Sequence, residues 1–153
     1  MRFIGNIIWF IFGGAILGLA YLILGAFFSL TVIMHPVGKA CYNIAKLMFA
    51  PFGKEIVKET DLKGSDNVNG ARKAGGLIMN LLWLPFGIPL MFAHIFAGIA
   101  MFFGIITIPF GFVHFKLARI AIWPIGAKVV SKGVAAVAAT ARAQEEFNAM
   151  NNN

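Results

Sequence analysis

The polar side chains that could do chemistry are few in this 153-residue chain, and they stand far apart. The three histidines, His35, His94 and His114, lack the close spacing that is typical of metal ligands. Cys41 is the single cysteine, so the chain cannot form an internal disulfide. The sequence also has no P-loop glycine motif and no G-x-S-x-G nucleophile motif. We therefore expect no enzyme, no metal site and no cofactor.

The charged residues avoid two long apolar blocks. No Asp, Glu, Lys or Arg occurs from Phe3 to Val37 or from Ala74 to Phe115. Residues of the set AVILMFWYC make up 59% of the chain and charged residues only 12%, against about 25% charged residues in a soluble domain. A charge at the centre of a bilayer costs about 2.5–3.5 kcal/mol, so such blocks are typical of membrane-embedded segments. The composition excludes soluble and disordered classes and predicts an all-α integral membrane protein.

The two blocks are related by an internal duplication. An offset of 74 places Asn6 and Trp9 on Asn80 and Trp83. After one residue is removed before Gly25, an offset of 73 aligns the rest of both units. The further pairs at the first offset are Ile4/Ile78, Phe12/Phe86 and Gly13/Gly87, and those at the second include Pro36/Pro109, Gly38/Gly111, Pro51/Pro124 and Gly53/Gly126.

The duplication divides the chain into four parts. We predict a first membrane repeat at 3–57, a cytoplasmic charged linker at 58–76, a second membrane repeat at 77–130, and a cytoplasmic C-terminal helix with a frayed tail at 131–153. Each repeat is expected to be a membrane-embedded helical hairpin followed by a short interfacial amphipathic helix.

Helix-breaking residues divide each repeat further. Gly13–Gly14 and Pro85–Pro89 interrupt the apolar blocks, which separates a short leg from a long leg. A leg of about ten residues reaches only about 15 Å, half of the hydrocarbon core. The short legs are therefore re-entrant, thin spans, or merged with part of the next leg through a kink, and the sequence leaves these alternatives open. The segments Lys39–Ala50 and Phe112–Trp123 mix basic and bulky residues, which is typical of interfacial helices.

Basic residues flank both ends of each repeat. Because Lys and Arg stay on the cytoplasmic side of a membrane, both ends of each repeat are predicted to face the cytoplasm, with the N- and C-termini there as well. The two repeats are then parallel rather than inverted. The flanking residues are Arg2, Lys39, Lys46, Lys54, Arg72, Lys73, Lys116, Arg119 and Lys128.

Two groups of side chains are candidates for function. The first consists of basic residues beside the apolar blocks, which contact lipid headgroups or surround the mouth of a pore. The second consists of polar residues inside the blocks, which form buried hydrogen bonds or line a wet cavity. The first group is Lys46, Lys116 and Arg119, and the second is Asn6, Asn80 and His94.

Several motifs match a known family over nearly the whole chain. They include Pro51-x-Gly53-x-Glu55, His94-Ile95, Gly98-Ile99-Ala100 and Trp123-Pro124-x-Gly126. On these residues the chain resembles the YccF-like family of bacterial inner-membrane domain proteins. The resemblance implies two copies of a short domain and a place in the bacterial inner membrane. It implies no catalytic residues, because the family is known mainly as an uncharacterised membrane component.

Two functional hypotheses follow. The first is a homo-oligomeric scaffold or regulator, bound to anionic lipid headgroups and recruiting a cytoplasmic protein partner. The alternative is an oligomeric channel or conduit with a basic cytoplasmic mouth, which predicts ion flux. Nucleic acid is not an expected partner, because the charges flank the apolar blocks instead of forming a basic domain.

Overall fold

The computed structural model describes residues 2–64 and 69–151. Residues 65–68 of the expected linker and residues 152–153 of the expected frayed tail lie outside the described residues. The elements of the first half are α1 (Arg2–Trp9), a π-helical turn (Phe10–Gly14), α2 (Ala15–Ser29), α3 (His35–Phe49), β1 (Lys54–Lys58) and α4 (Glu59–Lys63). Those of the second half are α5 (Gly70–Met101), a 3₁₀ turn (Ile105–Thr107), α6 (Ile108–Ile122), β2 (Ala127–Ser131) and α7 (Lys132–Asn151).

The chain is mostly helical, and its apolar helices have membrane dimensions. Three helical stretches are long and apolar enough to cross a membrane, namely Phe3–Ser29, Gly70–Met101 and Ile105–Ile122. This agrees with the predicted all-α membrane protein. Two features differ from the sequence prediction. A two-stranded sheet is present, and the described part of the 58–76 linker holds α4 and the first turns of α5.

Of the alternatives for the short legs, the structure agrees with merging, since each short leg continues into the long leg that follows it. α1, the π turn and α2 form one continuous helical stretch, and α5 runs through both Pro85 and Pro89. Membrane helices tolerate proline because neighbouring groups and local adjustments of the backbone compensate for the lost hydrogen bonds. The partner of each long helix is instead the third segment of its repeat, since α2 packs on α3 and α5 on α6.

The π turn explains the change of offset between the repeats. Trp9 and Gly14 are five positions apart in the sequence, whereas Trp83 and Gly87 are four positions apart. Gly14 lies against the Trp9 indole and the Met48 carbonyl, just as Gly87 lies against the Trp83 indole and the Ala121 carbonyl. Gly14, not Gly13, is therefore the counterpart of Gly87. A π turn accommodates one extra residue inside a helix, and here it restores the register before α2.

The sheet joins the two repeats. β1 and β2 are antiparallel, with Ile56 opposite Val129 at the centre and Lys54 opposite Ser131 at one end. The offset of 73 also places Ile56 on Val129, so the ladder is two-fold symmetric about this pair. Ile56, Ala127 and Val129 pack against the apolar core. α7 contacts both strands and α4, which forms a polar layer consisting of β1, β2, α4 and α7.

Aromatic side chains connect the long helices of the two repeats. Phe28, near the end of α2, contacts the rings of Trp83 and Phe86 near the middle of α5. The Tyr21 ring, near the centre of α2, stacks on His94, which lies closer to the end of α5. α2 and α5 therefore cross in opposite directions around the Tyr21–His94 pair. Their outer faces expose large apolar side chains, among them Ile16, Leu19, Ile23, Phe27, Leu81, Phe92, Phe96 and Ile99.

Candidate functional site

One asparagine in each repeat holds the turn that precedes the strand. The Asn80 Nδ2 donates to the Ile125 carbonyl and its Oδ1 accepts from the Ile125 N–H, both at 3.0 Å. Asn6 makes the same two bonds to Phe52, at 3.5 and 3.0 Å. Each amide satisfies both backbone polar groups of one turn residue, which would otherwise be costly to bury. Both predicted polar residues are thus clamps on the Pro-x-Gly turns.

A tryptophan one turn later fixes the end of the neighbouring helix. The Trp83 Nε1 donates to the Ala121 carbonyl at 2.7 Å, and the Trp9 Nε1 donates to the Met48 carbonyl at 2.5 Å. Gly87 permits this close approach, because a Cβ atom there would lie 2.7 Å from the Ala121 oxygen. The repeated N-x-x-W motif therefore locks each long helix to the end of its hairpin partner.

The centre of the core holds four polar side chains at equivalent positions. Tyr21 and Cys41 of the first repeat fall on His94 and His114 of the second at the offset of 73. All four are fully buried. The Nδ1 atoms of His94 and His114 lie 3.1 Å apart, so one ring donates and the other accepts. The predicted candidate His94 is thus paired with a histidine that the sequence analysis did not connect to it.

This central cluster has few further polar contacts. Among the described side chains, the Tyr21 hydroxyl and the Nε2 atoms of both histidines have no hydrogen-bond partner. No group of three or more His, Cys, Asp or Glu side chains within residues 2–64 and 69–151 is placed to hold a metal ion. Burial raises the pKa of the Cys41 thiol to about 12, so this thiol is neutral and a poor nucleophile at pH 7.

A groove of about 620 Å³ opens between the repeats beside the sheet. Its walls are the first half of α3, the start of α5 and the turn before β2, and Asn80 lies on its edge. Apolar side chains and a basic rim line it. The apolar residues include Pro36, Leu77, Met79 and Trp123, and the charged residues are Lys39, Arg72, Lys73, Lys128 and Glu59.

The charge of the groove is positive. Four basic side chains face a single carboxylate, and Glu59 is already paired with Lys63 at 3.0 Å and with Arg72 at 2.9 Å. The hydrogen bond from Lys63, together with the charges of Lys128 and Arg72, holds the pKa of the Glu59 carboxyl below its ordinary value. Glu59 therefore stays ionised at neutral pH, and the rim keeps an excess of cations.

The equivalent position on the other side of the sheet is bridged. Lys116 of α6 forms an ion pair with Glu55 of β1. At the offset of 73 these residues correspond to Asn43 and Lys128, which line the groove. An amide and an ammonium group cannot form an ion pair. One side of the molecule thus has a salt bridge between helix and strand, whereas Asn43 and Lys128, at the equivalent positions, form no ion pair with each other and line the groove.

Comparisons with known proteins fit this duplicated architecture. The family model described as "Inner membrane component domain" (YccF) matches twice, at residues 4–54 and 78–127. The chain belongs to the YccF family. It is 36% identical over 148 residues to the inner membrane protein YccF of Escherichia coli K12, covering 96% of this chain and 99% of that protein. The Shigella flexneri inner membrane protein YccF matches to the same extent. No solved structure matches the chain.

The family assignment confirms the predicted resemblance, the internal repeat and the inner-membrane location. The three basic candidates of this YccF family member lie on α3 and α6. Lys46 and Arg119 are exposed on different helices, and Lys116 is held by Glu55. The backbone carbonyl of Lys46 accepts a hydrogen bond from Lys54 Nζ at 3.1 Å.

The groove residues were missed as a set by the sequence analysis. Lys39, Arg72, Lys73 and Lys128 were noted only as flanking cations, and Asn43 and Glu59 were not singled out. One signal could have found the site. The alignment of the repeats pairs Lys116 with Asn43 and Glu55 with Lys128, so a potential ion pair in one repeat is lost in the other.

Proposed function

We propose that this inner membrane protein is a homo-oligomeric scaffold that presents its polar layer to a cytoplasmic partner. The observation that carries the proposal is the layer itself. β1 and β2 join the two repeats, and α7 lies on them with only Ala138 buried, so most of its 20 residues remain available to a partner. Val134, Val137 and Phe147 expose apolar side chains on that helix.

The proposed orientation places this layer and both termini in the cytoplasm. The polar layer and the adjoining start of α5 carry eight basic residues, and cytoplasmic segments are enriched in Lys and Arg. Asn6 in α1 and Asn80 in the first half of α5 hold the turns that precede β1 and β2, so these parts of both repeats lie beside the polar layer. The residues are Lys54, Lys58, Lys63, Arg72, Lys73, Lys128, Lys132 and Arg142.

Oligomerisation is proposed from the outer face of α5. The small residues Gly14 and Gly18 contact α3 within the chain, so they are not available to another subunit. Ala93 and Ala97 are half-buried and Ala100 is exposed. Small residues spaced by four allow close helix contact in membranes. We therefore place the subunit contact on the Ala93–Ala97–Ala100 face.

The conduit alternative has less support. Asn6 and Asn80, which would have supplied polar lining, use their amides on turn backbones. Lys116, expected at a basic mouth, is paired with Glu55. We likewise propose no catalytic activity, since the buried Cys41 and the His94–His114 pair lie inside the core.

The test of the scaffold uses the full-length protein in nanodiscs. Native mass spectrometry should find one defined oligomer, and Ala97→Leu should shift it toward monomers, whereas Ala136→Leu on exposed α7 should not. Photo-crosslinking from position 137 in cells should capture one cytoplasmic protein, and Val134→Asp should abolish that capture. A monomeric protein without a crosslinked partner, or voltage-driven ion flux in liposomes that Ala97→Leu abolishes, would reject the scaffold.

A further inference from the structure

The open groove beside β2 has the size and composition of a binding site. Its volume of about 620 Å³ lies within the range of small-molecule pockets, about 300–1,000 Å³. It combines an apolar wall with a few convergent polar groups, as such pockets do. The groove lies between the repeats, since α3 comes from the first and α5 and β2 come from the second.

The basic residues of the groove favour an anionic ligand. Glu59 neutralises part of the rim through its pairs with Lys63 and Arg72. Within the part of the chain that the structure describes, neither Lys39 nor Lys128 belongs to an ion pair. Two ammonium groups and the Asn43 amide, which can donate two hydrogen bonds, are suited to a phosphate group.

Comparison with the bridged side shows that an ion pair here would be compatible with the fold. Lys116 and Glu55 occupy the equivalent positions and close the gap between helix and strand. Replacing this pair by Asn43 and Lys128 removes the bridge and leaves a cation on the groove side. The same contact between helix and strand therefore occurs twice in the molecule, once with an ion pair and once without one beside the groove.

The apolar wall favours a lipid over a free anion. Trp123 is 43% exposed at the rim, and Leu77 is 49% exposed on the same wall. The wall continues into the exposed apolar face of α5 through Ile78 and Leu81. Tryptophan is enriched at headgroup depth in membranes. A lipid phosphate could thus lie at the basic rim while its acyl chains follow α5.

We propose that this groove is a specific site for the headgroup of one anionic phospholipid, with the phosphate held by Lys39, Lys128 and Asn43. The bridged position at Lys116 and Glu55 holds no such lipid. The site is independent of the scaffold role, because lipid binding by the purified protein is measured without any partner and at any oligomeric state.

The experiment counts bound phosphatidylglycerol on the full-length protein by native mass spectrometry after delipidation and titration. We expect one tightly retained lipid per chain. The double variant N43K/K128E, which installs the pair found on the other side, should weaken binding about tenfold, as expected for loss of charge-assisted contacts. Lys132→Ala on α7 is the matched charge control and should bind like the unaltered protein.

A second variant and two competitor arms keep the result decisive. Lys39→Met leaves the strand untouched and should weaken binding several-fold, even if N43K/K128E fails to fold. Glycerol phosphate and inorganic phosphate should displace the lipid only at much higher concentration. Equal retention by unaltered protein and Lys39→Met, equal affinity for phosphatidylcholine, or equally tight binding of inorganic phosphate would each overturn the lipid site.

Discussion

The turns before β1 and β2 are held by the same residue types, whereas the contacts between helix and strand beside these turns are made by different residue types. Asparagine clamps the turn and tryptophan fixes the helix end in both repeats. Beside these joints, Lys116 and Glu55 close one side, and Asn43 and Lys128 leave the other open. The comparison separates two kinds of residue. Those that hold the fold occur in both halves, and those that differ mark where the halves can have different roles.

The largest effect should come from the shared helix joint. Gly14→Ala and Gly87→Ala each place a Cβ against a tryptophan indole and a backbone carbonyl. We expect each to lower the free energy of unfolding by about 3 kcal/mol. Gly133→Ala on α7 has nothing within 4 Å and should be neutral or slightly stabilising. Thermal unfolding of the detergent-solubilised protein measures all three, and equal melting temperatures would show that the joint is absent.

The asparagine clamps should differ in strength. Asn80 is 1% exposed with both bonds at 3.0 Å, whereas Asn6 is half-buried with one bond at 3.5 Å. Asn80→Ala leaves a buried N–H and carbonyl without partners and should cost about 2 kcal/mol, against about 1 kcal/mol for Asn6→Ala. The same unfolding assay compares them with the exposed Asn148→Ala. A larger loss for Asn6→Ala would contradict the geometry.

The sequence predicted the shared joint better than the elements around it. Asn, Trp and Pro-x-Gly recur in order, so the duplication and its landmarks were visible without a structure. The continuity of α5 was not, because Pro85 and Pro89 are helix breakers in general and are tolerated in a membrane helix through local adjustments that leave no mark in the sequence. The sheet was also missed. Its two five-residue strands lie about 70 residues apart, and pairing over that distance leaves no local signal.

The candidate site was harder to predict than the fold. The basic candidates Lys46, Lys116 and Arg119 were chosen by their nearness to the apolar blocks. That criterion does not say which cations share a cavity. The groove depends on α3 of the first repeat lying beside β2 of the second. This contact exists only in the folded chain, in which β1 and β2 pair.

The ion pair of the closed side should have a smaller effect than the clamps. Lys116 and Glu55 are 40% and 35% exposed, so solvent screens their attraction. We expect Lys116→Met to cost about 0.5–1 kcal/mol at low salt and less at high salt. Lys46→Met, an exposed lysine whose ammonium forms no ion pair among the described residues, is the control. If the loss of unfolding free energy did not depend on salt concentration, packing and not charge would hold this side together.

The smallest effect should come from removing the extra residue of the first repeat. Deleting Gly13 leaves Trp9 and Gly14 four residues apart, as Trp83 and Gly87 are, and converts the π turn to an α-helix. We expect the unfolding free energy to change by no more than about 1 kcal/mol. Deleting Ile16 instead shifts the buried stripe of α2 and should prevent folding. Equal damage by both deletions would mean that the π turn does not carry the insertion.

The central claim is that β1 and β2 of one chain join the repeats in the observed register. Cysteine pairs in a Cys41→Ala background test it directly, with disulfides read by mass spectrometry of peptides from oxidised membranes. Lys54 lies opposite Ser131, so K54C/S131C should form an intrachain disulfide rapidly. K54C/A127C places the cysteines at opposite ends of the ladder, about 13 Å apart, and should react slowly. Equal rates for the two pairs, or disulfides formed only between chains, would contradict the account.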